Sequence, residues 1–406
     1  MKKCECGCEA DLKTAITEKI AGYEKDIVAF ARKIVQTPSF SCQEGKLVEV
    51  IKAEMVKVGF DSVKIDEIGN IIGYIGKGRR KIMMDSHIDT VGVGDRGEWK
   101  IDPFEAVYKN RTIYGRGASD QKLSMASMVY AGKAIKELGL EGDYTLMVVG
   151  SVMEEDCDGL PILHLVNKEK IRPDFVVITE PTNLAVYRGH RGRMEIKVVT
   201  KGVSCHASAP ERGDNAVVKM ADIIKEVTAV NKKLKKDKFL GKGSVAVTKI
   251  ECQTPSLNAV PDECTIYLDR RLTVGETLKT SVDEIKKLPS VKKFKAKVEV
   301  LQYSAVAWTG KEVGQEKYFP TWVTPKEHEL VKAGVEAATI ALGRKPVVDK
   351  WVFSTNGVAS AGRLHIPTIG FGPGNEIYAH TVKENMPVDQ LLKAAVFYAA
   401  LPQMIK

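Results

Sequence analysis

The sequence lacks long apolar runs. No stretch of its 406 residues approaches the roughly 18 consecutive apolar residues that a membrane-spanning helix needs. Residues 1–9 carry positive charge, but no apolar segment follows them, so they do not have the pattern of a secretory signal. We therefore expect a cytoplasmic protein with no membrane partner.

The sequence also lacks the closely spaced cysteines of a small disulfide-rich fold. Its eight cysteines are scattered along the chain, which is typical of a reducing compartment. Cys4, Cys6 and Cys8 form a C-x-C-x-C pattern that could bind a soft metal, but no further Cys or His nearby completes a tetrahedral set. We expect this segment to be a mobile tail with incidental thiols.

Acidic residues are too few to balance the basic ones, and the formal net charge is +9. The lysines are nevertheless spread along the chain, with local clusters only at residues 232–238 and 286–297. In both clusters they alternate with apolar residues such as Leu234 and Phe294, a pattern that indicates solvated faces of amphipathic elements. We expect no nucleic-acid partner.

The length of the chain predicts more than one domain, because a single core stops growing at roughly 250–300 residues. Apolar spacing predicts a helix over residues 14–35 and then an α/β pattern of strands and helices. A β-α-β-β-α-β order over residues 188–303 predicts a compact ferredoxin-like insert. Residues 1–187 and 304–406 are then the two parts of a single larger domain.

A predicted buried strand over residues 81–84 leads into the pair His87-x-Asp89. Side chains two residues apart on a strand point to the same face, and a metal-ligating imidazole usually has its second nitrogen held by a carboxylate. The same spacing is also typical of a structural histidine bonded to a nearby aspartate. The pair alone leaves both roles open.

Carboxylates recur where later predicted strands end or a helix begins. These residues are Asp120, Glu154, Glu155 and Glu180. In open α/β sheets, ligands gather beyond the carboxyl ends of the strands, so we expect these side chains to approach His87. Asp120 has an alternative role, because aspartate is favoured at the N-cap of a helix.

Six motifs occur in an order that is specific as a set. They are Ser86-His-Ile-Asp-Thr-Val91, Gly115-Arg-Gly-Ala-Ser-Asp120, Glu154-Glu155, Glu180-Pro-Thr182, Gly202-Val-Ser-Cys-His-Ala-Ser-Ala-Pro210 and Ala379-His380-Thr381. From about residue 15 to the end, the chain resembles the M20 family of metallopeptidases and deacylases, in particular its branch of selenium-metabolism-linked hydrolases. The resemblance implies a zinc-exopeptidase-like mixed sheet flanked by helices, with the insert serving as a lid and dimerisation domain.

The resemblance also implies two Zn²⁺ ions per subunit. His87, Asp120 and Glu180 would hold one ion, and Asp120, Glu155 and His380 the other, with Asp120 bridging. Imidazole and carboxylate ligands suit zinc and also accept Mn²⁺ or Co²⁺. Two such ions about 3.5–4 Å apart can activate water and polarise an amide carbonyl.

Three further residues have implied catalytic roles. Glu154 would be the general base, and Asp89 would orient His87. In family members that dimerise through the insert, the residue matching His206 reaches the site of the neighbouring subunit and stabilises the oxyanion. We therefore expect a homodimer, although a turn histidine bonded to the backbone is the alternative for His206.

Four residues have implied roles in substrate binding. Asn258 and Arg271 match family positions that contact the substrate, and Thr355 and Gly372 lie in segments that match the loop lining the substrate pocket. Arg271 would bind a carboxylate bidentately. Arg270 is an alternative, because alternation along a strand turns only one of the two arginines inward. His164, His190, His328 and His365 are interpreted as structural.

The sequence also departs from the family pattern. Ser86 stands where glycine is usual, no proline follows Thr90-Val91, Gln121 replaces an apolar residue, and Asn356 stands where many members have aspartate. None of these changes removes an implied metal ligand, but Asn356 could alter which substrate head group is accepted.

The leading hypothesis is a di-zinc hydrolase that cleaves an amide bond in a small-molecule substrate, either an N-acyl amino acid or a short peptide. A dipeptidase or carboxypeptidase with the same metals is the first alternative. A non-catalytic metal-binding protein on the same fold is the second, and the presence of Glu154 argues against it.

Overall fold

The computed structural model of the protein describes residues 5–405, with side chains from residue 11 onward. Cys4 and the side chains of Cys6 and Cys8 lie outside this described part, so the expected mobile tail stays a prediction. Within the described part, no helix combines the length and apolar character that a bilayer crossing requires.

The helices in chain order are α1 (Glu5–Gly22), α2 (Glu24–Val35), α3 (Gly45–Lys57), α4 (Ser124–Glu137), α5 (Leu160–Asn167), α6 (Ala216–Lys233), α7 (Leu278–Lys286), α8 (Pro289–Lys293), α9 (Glu329–Leu342) and α10 (Val388–Met404). The prediction of one helix over residues 14–35 was wrong. The helical segment breaks at Tyr23, directly after Gly22, a residue with low helix propensity.

The strands in chain order are β1 (Ser62–Ile65), β2 (Ile71–Ile75), β3 (Arg80–His87), β4 (Val107–Lys109), β5 (Thr112–Tyr114), β6 (Tyr144–Ser151), β7 (Phe175–Ile178), β8 (Val186–His190), β9 (Gly192–Lys201), β10 (Lys236–Asp237), β11 (Gly241–Lys242), β12 (Ser244–Gln253), β13 (Glu263–Leu272), β14 (Lys297–Val300), β15 (Gln302–Val306), β16 (Glu312–Glu316), β17 (Tyr318–Phe319), β18 (Trp322–Val323), β19 (Val348–Trp351), β20 (Thr368–Gly370) and β21 (Asn385–Pro387).

The main sheet is mixed and has nine strands in the order β1-β2-β6-β3-β7-β20-β8-β18, with β19 paired to β8. At its centre, β3 runs parallel to both β6 and β7. Parallel neighbours end at the same edge of a sheet, so the segments that follow these three strands lie side by side. This mixed sheet with flanking helices confirms the predicted α/β class.

Strand β3 separates two apolar layers. Ile82 and Met84 point into a core shared with α1–α4, α9 and α10, whereas Met83 points into a second core shared with α5. This alternation follows from the two-residue period of a strand, and burial on both faces explains why the strand is continuously apolar. The aromatic rings of Phe371 and Phe397 stack in the first core with 3.7 Å between their centroids.

A second sheet has the order β12-β13-β9-β14, with β17 also paired to β9. Its strands and the helices α6, α7 and α8 follow a β-α-β-β-α-β order and enclose a separate apolar core. We call residues 192–300 the insert, because β8 ends in the main sheet at His190 and β9 begins the second sheet at Gly192.

The chain returns from the insert beside the point where it entered. Strand β17 pairs with β9 in the second sheet, and β18 pairs with β8 in the main sheet. A Cβ atom on Gly192 would lie 2.5 Å from the carbonyl oxygen of Phe319 and 2.6 Å from the nitrogen of Thr321. Glycine therefore permits the two crossing segments to run in contact.

Candidate metal centre

His87 ends β3 and directs both ring nitrogens at oxygen atoms. Its Nδ1 lies 3.1 Å from the carbonyl oxygen of Asp89 and 3.5 Å from the carboxylate of that residue. Its Nε2 lies 3.1 Å from Asp120 Oδ1 and 3.5 Å from Glu180 Oε1. The backbone carbonyl thus makes the shorter contact with Nδ1, and Nε2 faces two carboxylates from other segments.

His380 lies on the opposite side of Asp120. Its Nε2 is 3.1 Å from Asp120 Oδ2 and 3.0 Å from Glu155 Oε2. Each carboxylate oxygen of Asp120 therefore faces a different imidazole, which is the arrangement expected of a bridging ligand. Asp120 is not an N-cap, because α4 starts at Ser124 and Leu123 takes the cap position.

The centre contains more buried negative charge than its protein partners satisfy. Glu154 Oε1, Glu155 Oε1 and Glu180 Oε2 are buried and accept no hydrogen bond among the described residues. Burial, together with nearby carboxylates, raises the pKa of Glu154 and of Glu180 well above the ordinary glutamate value. A buried, unpaired carboxylate is costly unless it meets a cation, so these oxygens fit divalent metal ions.

The negative charge of these carboxylates raises the pKa of both histidines. Burial lowers the pKa of His87, but Glu180 and Asp120 outweigh that effect and hold it well above the ordinary value. Hydrogen bonds to Asp120 and Glu155 raise the pKa of His380 to about 10. Among the described residues, two groupings with geometry suited to a shared ion lie here: His87 with Asp120 and Glu155, and His87 with Glu154 and Glu180.

Asp89 also fixes the segment that carries the two adjacent glutamates. Its Oδ1 accepts the backbone N–H of Glu154, and its Oδ2 accepts that of Glu155, both at 3.1 Å. Ser41 Oγ donates a further hydrogen bond of 2.6 Å to Oδ2. Asp89 therefore holds the segment after β6 in place through its side chain, while its carbonyl contacts His87.

A cleft of about 270 Å³ opens over these residues. Its walls are formed by Asp120, Glu154, Glu155, Asp158, Glu180, Arg193, Arg271, Phe353, Ser354, Ala379 and His380. Arg271 therefore lies in the cleft, where Asp269 holds its guanidinium through two hydrogen bonds of 2.7 and 3.1 Å. Arg270 is buried in the insert beside Glu276 and Glu284.

Arg193 is a cleft residue that the sequence analysis did not identify. It is the direct cross-strand partner of Arg271, and its guanidinium lies 3.2 Å from Asp158 and 4.7 Å from the ring of Phe319. The alternation of β9 could have found it, because Arg193 shares a face with Glu195 while Met194 enters the core of the insert.

Two residues predicted to take part in substrate binding, Thr355 and Gly372, pack against other parts of the protein. The side chain of Thr355 is fully buried, and its Oγ1 lies 3.1 Å from His190 Nε2. A Cβ atom on Gly372 would lie 2.1 Å from the carbonyl oxygen of Thr179 and 2.3 Å from that of Glu180. Neither residue is among those that line the cleft, although Phe353 and Ser354, next to Thr355, are. The contact of Thr355 and Gly372 with a substrate stays a prediction.

Asn356 also points away from the cleft. Its side-chain amide donates to Asp85 at 2.9 Å and to Ser151 at 3.0 Å, and its Oδ1 accepts the N–H of Gly159 at 2.7 Å. The residue joins β3, β6 and the loop before α5. The asparagine that replaces the usual aspartate at this position thus contacts the strands behind the metal centre and does not line the cleft.

His206 and Asn258 lie together in the insert, outside the residues that line the cleft of the same chain. The backbone of His206 pairs with that of Ala259, and its Nδ1 accepts a 3.1 Å hydrogen bond from the N–H of Ser208. The side chains of His206 and Asn258 are both exposed. One chain alone does not bring them to the candidate metal centre.

Comparisons with known proteins agree with this arrangement. The family model for peptidase family M20/M25/M40 matches residues 83–404, which include all five candidate metal ligands. The chain belongs to this family. It is therefore a hydrolase of the M20 type, and the resemblance found in the sequence is confirmed.

Relatives cover nearly the full length of this M20 hydrolase. The uncharacterised protein YgeY of Escherichia coli K12 is 52% identical over 95% of this chain and 96% of its own. A succinyl-diaminopimelate desuccinylase of Gluconacetobacter diazotrophicus is 29% identical over 92% of this chain and 95% of its own.

Two solved structures have the same fold. The aminopeptidase PepT of Bacillus cereus superposes with a TM-score of 0.73 at 21% identity, covering 94% of this chain and 98% of its own. The YxeP protein of Bacillus subtilis, a dinuclear metal-binding peptidase of family M20, superposes with a TM-score of 0.70 at 13% identity, covering 94% and 98%.

Proposed function

We propose that the protein is a two-metal hydrolase that cleaves the amide bond of a small N-acyl amino acid or short peptide with a free carboxylate. The single observation that carries this proposal is the position of Asp120 between His87 and His380, among buried carboxylate oxygens that accept no hydrogen bond from the described residues. The desuccinylase, aminopeptidase and dinuclear peptidase similar to this chain support it.

We assign His87, Asp120 and Glu180 to one Zn²⁺ ion and Asp120, Glu155 and His380 to the second, because these imidazoles and carboxylates make the short contacts described above. The grouping of His87 with Glu154 and Glu180 would instead make Glu154 a ligand of the first ion, and the metal content of Glu154→Ala distinguishes the two assignments. One nitrogen and several carboxylate oxygens per ion suit zinc, and Mn²⁺ or Co²⁺ would also be accepted. When bound, such a pair of ions polarises a substrate carbonyl and makes water a better nucleophile.

Glu154 is the general base of the proposal. It is adjacent to the candidate ligand Glu155, its side chain is buried, and its Oε1 has no hydrogen-bond partner in the part of the chain that the structure describes. The carboxylate would take a proton from the attacking water and then return it to the leaving nitrogen, a role that contributes on the order of 10²–10⁴ in rate. The hydrogen bond from its N–H to Asp89 holds it over the centre.

Arg271 would bind the free carboxylate of the substrate. Asp269 fixes its guanidinium at the cleft, and a fixed guanidinium presents paired N–H donors to a carboxylate. The neighbouring Arg193 adds positive potential on the same face of the insert. Both arginines come from the insert, so movement of the insert over the centre would bring them to the substrate.

We further propose that the protein is a cytoplasmic homodimer whose subunits contact each other through the insert. Exposed apolar side chains on β12 and the following loop, Ile250 and Leu257, support such an interface. In the dimer, His206 of one subunit would reach the cleft of the other and donate to the oxyanion. Mass measurement of the purified protein in solution tests this assembly, and a monomer at working concentration would contradict it.

The test of the function is a panel of N-acyl amino acids and dipeptides, assayed with and without added Zn²⁺ or Mn²⁺. We expect metal-dependent release of the amino product from at least one N-acyl amino acid or peptide. Turnover restricted to peptides would favour the dipeptidase or carboxypeptidase alternative. No amide turnover, despite two bound metals per chain, would identify a non-catalytic metal-binding protein.

A further inference from the structure

A second cluster of possible metal ligands lies outside the candidate metal centre. Asp66 stands in the loop between β1 and β2, His164 is on α5, and Glu169 follows the end of that helix. Each residue offers one ligand atom, and the three atoms lie within 4.8 Å of one another. The distance from His164 Nε2 to Glu169 Oε1 is 3.4 Å.

The imidazole of His164 points to a ligand that the protein itself does not supply. Its side chain is 10% exposed, and its Nε2 atom is buried with no hydrogen-bond partner among the described residues. A buried polar atom left without a hydrogen-bond partner is unfavourable. Because this nitrogen faces the carboxylates of Asp66 and Glu169, a shared cation would satisfy all three groups.

The cluster is also held in position before any ion binds. Asp66 Oδ1 accepts the backbone N–H groups of Ile68, Gly69 and Asn70 at 2.8–3.0 Å, and Oδ2 accepts the side-chain amide of Asn70 at 2.6 Å. A carboxylate fixed in this way loses little conformational freedom on binding. Its Oδ2, which accepts one hydrogen bond from the described residues, keeps a lone pair for a ligand.

We propose that Asp66, His164 and Glu169 form a third metal site that takes a divalent transition-metal ion. One imidazole nitrogen and two carboxylate oxygens are the donors that Zn²⁺ and Mn²⁺ accept, and water completes the coordination. An adjacent cleft of about 540 Å³, lined in part by Glu67 and His164, gives the ion a path from solvent.

The position of this site gives the ion a structural role. Asn70 Oδ1 accepts the N–H of Val152 at 3.0 Å, two residues before Glu154. Helix α5, which carries His164, begins at Leu160, just after the same segment. An ion bound by Asp66 and His164 would thus fasten both ends of the segment that presents Glu154 and Glu155 to the cleft.

The test compares metal content in the full-length protein and in His164→Gln. Each protein is loaded with ZnCl₂ or, separately, with MnCl₂, passed through a desalting column and analysed by inductively coupled plasma mass spectrometry. We expect the wild type to hold one more ion per chain than His164→Gln with at least one of the two metals. His365→Asn, which removes an exposed histidine of a loop, is the control and should keep the wild-type content.

A second variant makes the test informative even if His164→Gln does not fold. Glu169→Gln changes a half-buried side chain on the helix end and should also lose one ion, and circular dichroism reports whether each variant is folded. If the folded variants keep the wild-type metal content with both metals, the proposal is wrong and the cluster is a charged triad only. Because the measured quantity is metal content, the test is independent of turnover, and both variants leave every residue assigned to the candidate metal centre unchanged.

Discussion

The carboxylate of Asp89 accepts the backbone N–H of Glu154 at 3.1 Å, although the two residues are 65 positions apart in the chain. The same aspartate contacts His87 through its carbonyl oxygen. One residue thus sets the orientation of a candidate metal ligand and the position of the candidate base. Changes at Asp89 should therefore affect metal binding and turnover together.

Replacing Asp89 with asparagine should lower kcat and weaken metal binding, each by about 10–100-fold. The amide NH₂ group would face a backbone N–H of Glu154 or Glu155, and one of the two hydrogen bonds would be lost. Steady-state kinetics and metal titration measure the two effects. Asp95→Asn is a matched control, because the carboxylate of Asp95 accepts the N–H of Gly97 in an exposed turn and does not line the cleft. An equal loss in both variants would contradict the assignment.

The adjacent glutamates should have separable functions. Glu154→Ala should retain the wild-type metal content and lose about 10²–10⁴ in kcat, because a proton acceptor is removed and no assigned ligand is. Glu155→Ala should lose an ion together with activity. Metal analysis and kinetics on both variants check this, and a near-normal kcat for Glu154→Ala would refute its role as the base.

The adjacent arginines should differ in the same manner. Arg271→Ala should raise KM for a carboxylate-bearing substrate by more than it lowers kcat, because Arg271 lies in the cleft. Arg270→Ala should instead destabilise the protein by about 3 kcal/mol, because it leaves the largely buried Glu276 without its partner. Kinetics and urea unfolding separate the two effects. A raised KM in Arg270→Ala with unchanged stability would reverse the assignment.

His190 should make stability depend on pH. Burial lowers the pKa of His190 to about 4, and its Nε2 accepts the indole N–H of Trp322 at 2.8 Å. The unfolded chain, with a histidine pKa of about 6.5, binds the proton more readily, so the contribution of His190 is complete above about pH 6.5 and declines as the pH falls toward 4.

This loss should reach roughly 3 kcal/mol when the pH has fallen to about 4. His190→Gln cannot bind a proton in this range and should show a smaller change in unfolding free energy between pH 7 and pH 5. Urea unfolding of both proteins at the two pH values provides the measurement. Equal pH dependence in the two proteins would show that His190 is protonated with an ordinary pKa in the folded state.

The positions of most candidate ligands could be predicted from the sequence because they follow strands that lie side by side. His87 ends β3, Glu154 and Glu155 follow β6, and Glu180 follows β7, which are three parallel neighbours at the centre of the sheet. Apolar runs locate such strands, and the carboxyl-end rule then places their polar residues together. His380 follows no such strand, and only the family resemblance identified it.

The contacts of the cleft wall could not be read in the same way. The hydroxyl of Thr355 is bonded to His190, and the backbone of Gly372 packs against that of Thr179, in both cases residues far away in the chain. Alternation along β9 turns Arg193 away from the core of the insert, but its place in the cleft depends on its cross-strand partner Arg271, and strand register is not visible in one strand alone. Long-range packing, and not local pattern, decides these positions.

The segment β8–β9, which enters the insert, pairs with the segment β17–β18, which returns from it. This pairing bears on whether the insert can be removed from the chain. The two ends of the insert leave the main sheet next to each other, with Gly192 in contact with Phe319 and Thr321. A unit whose ends are neighbours can be inserted into a domain or removed from it. Without the insert, β8 and β18 would keep their pairing in the main sheet, and only β17 would lose its partner, β9. The larger domain should therefore still fold when residues 192–300 are replaced by a short linker. The shortened protein would lack Arg193 and Arg271, the two arginines of the cleft.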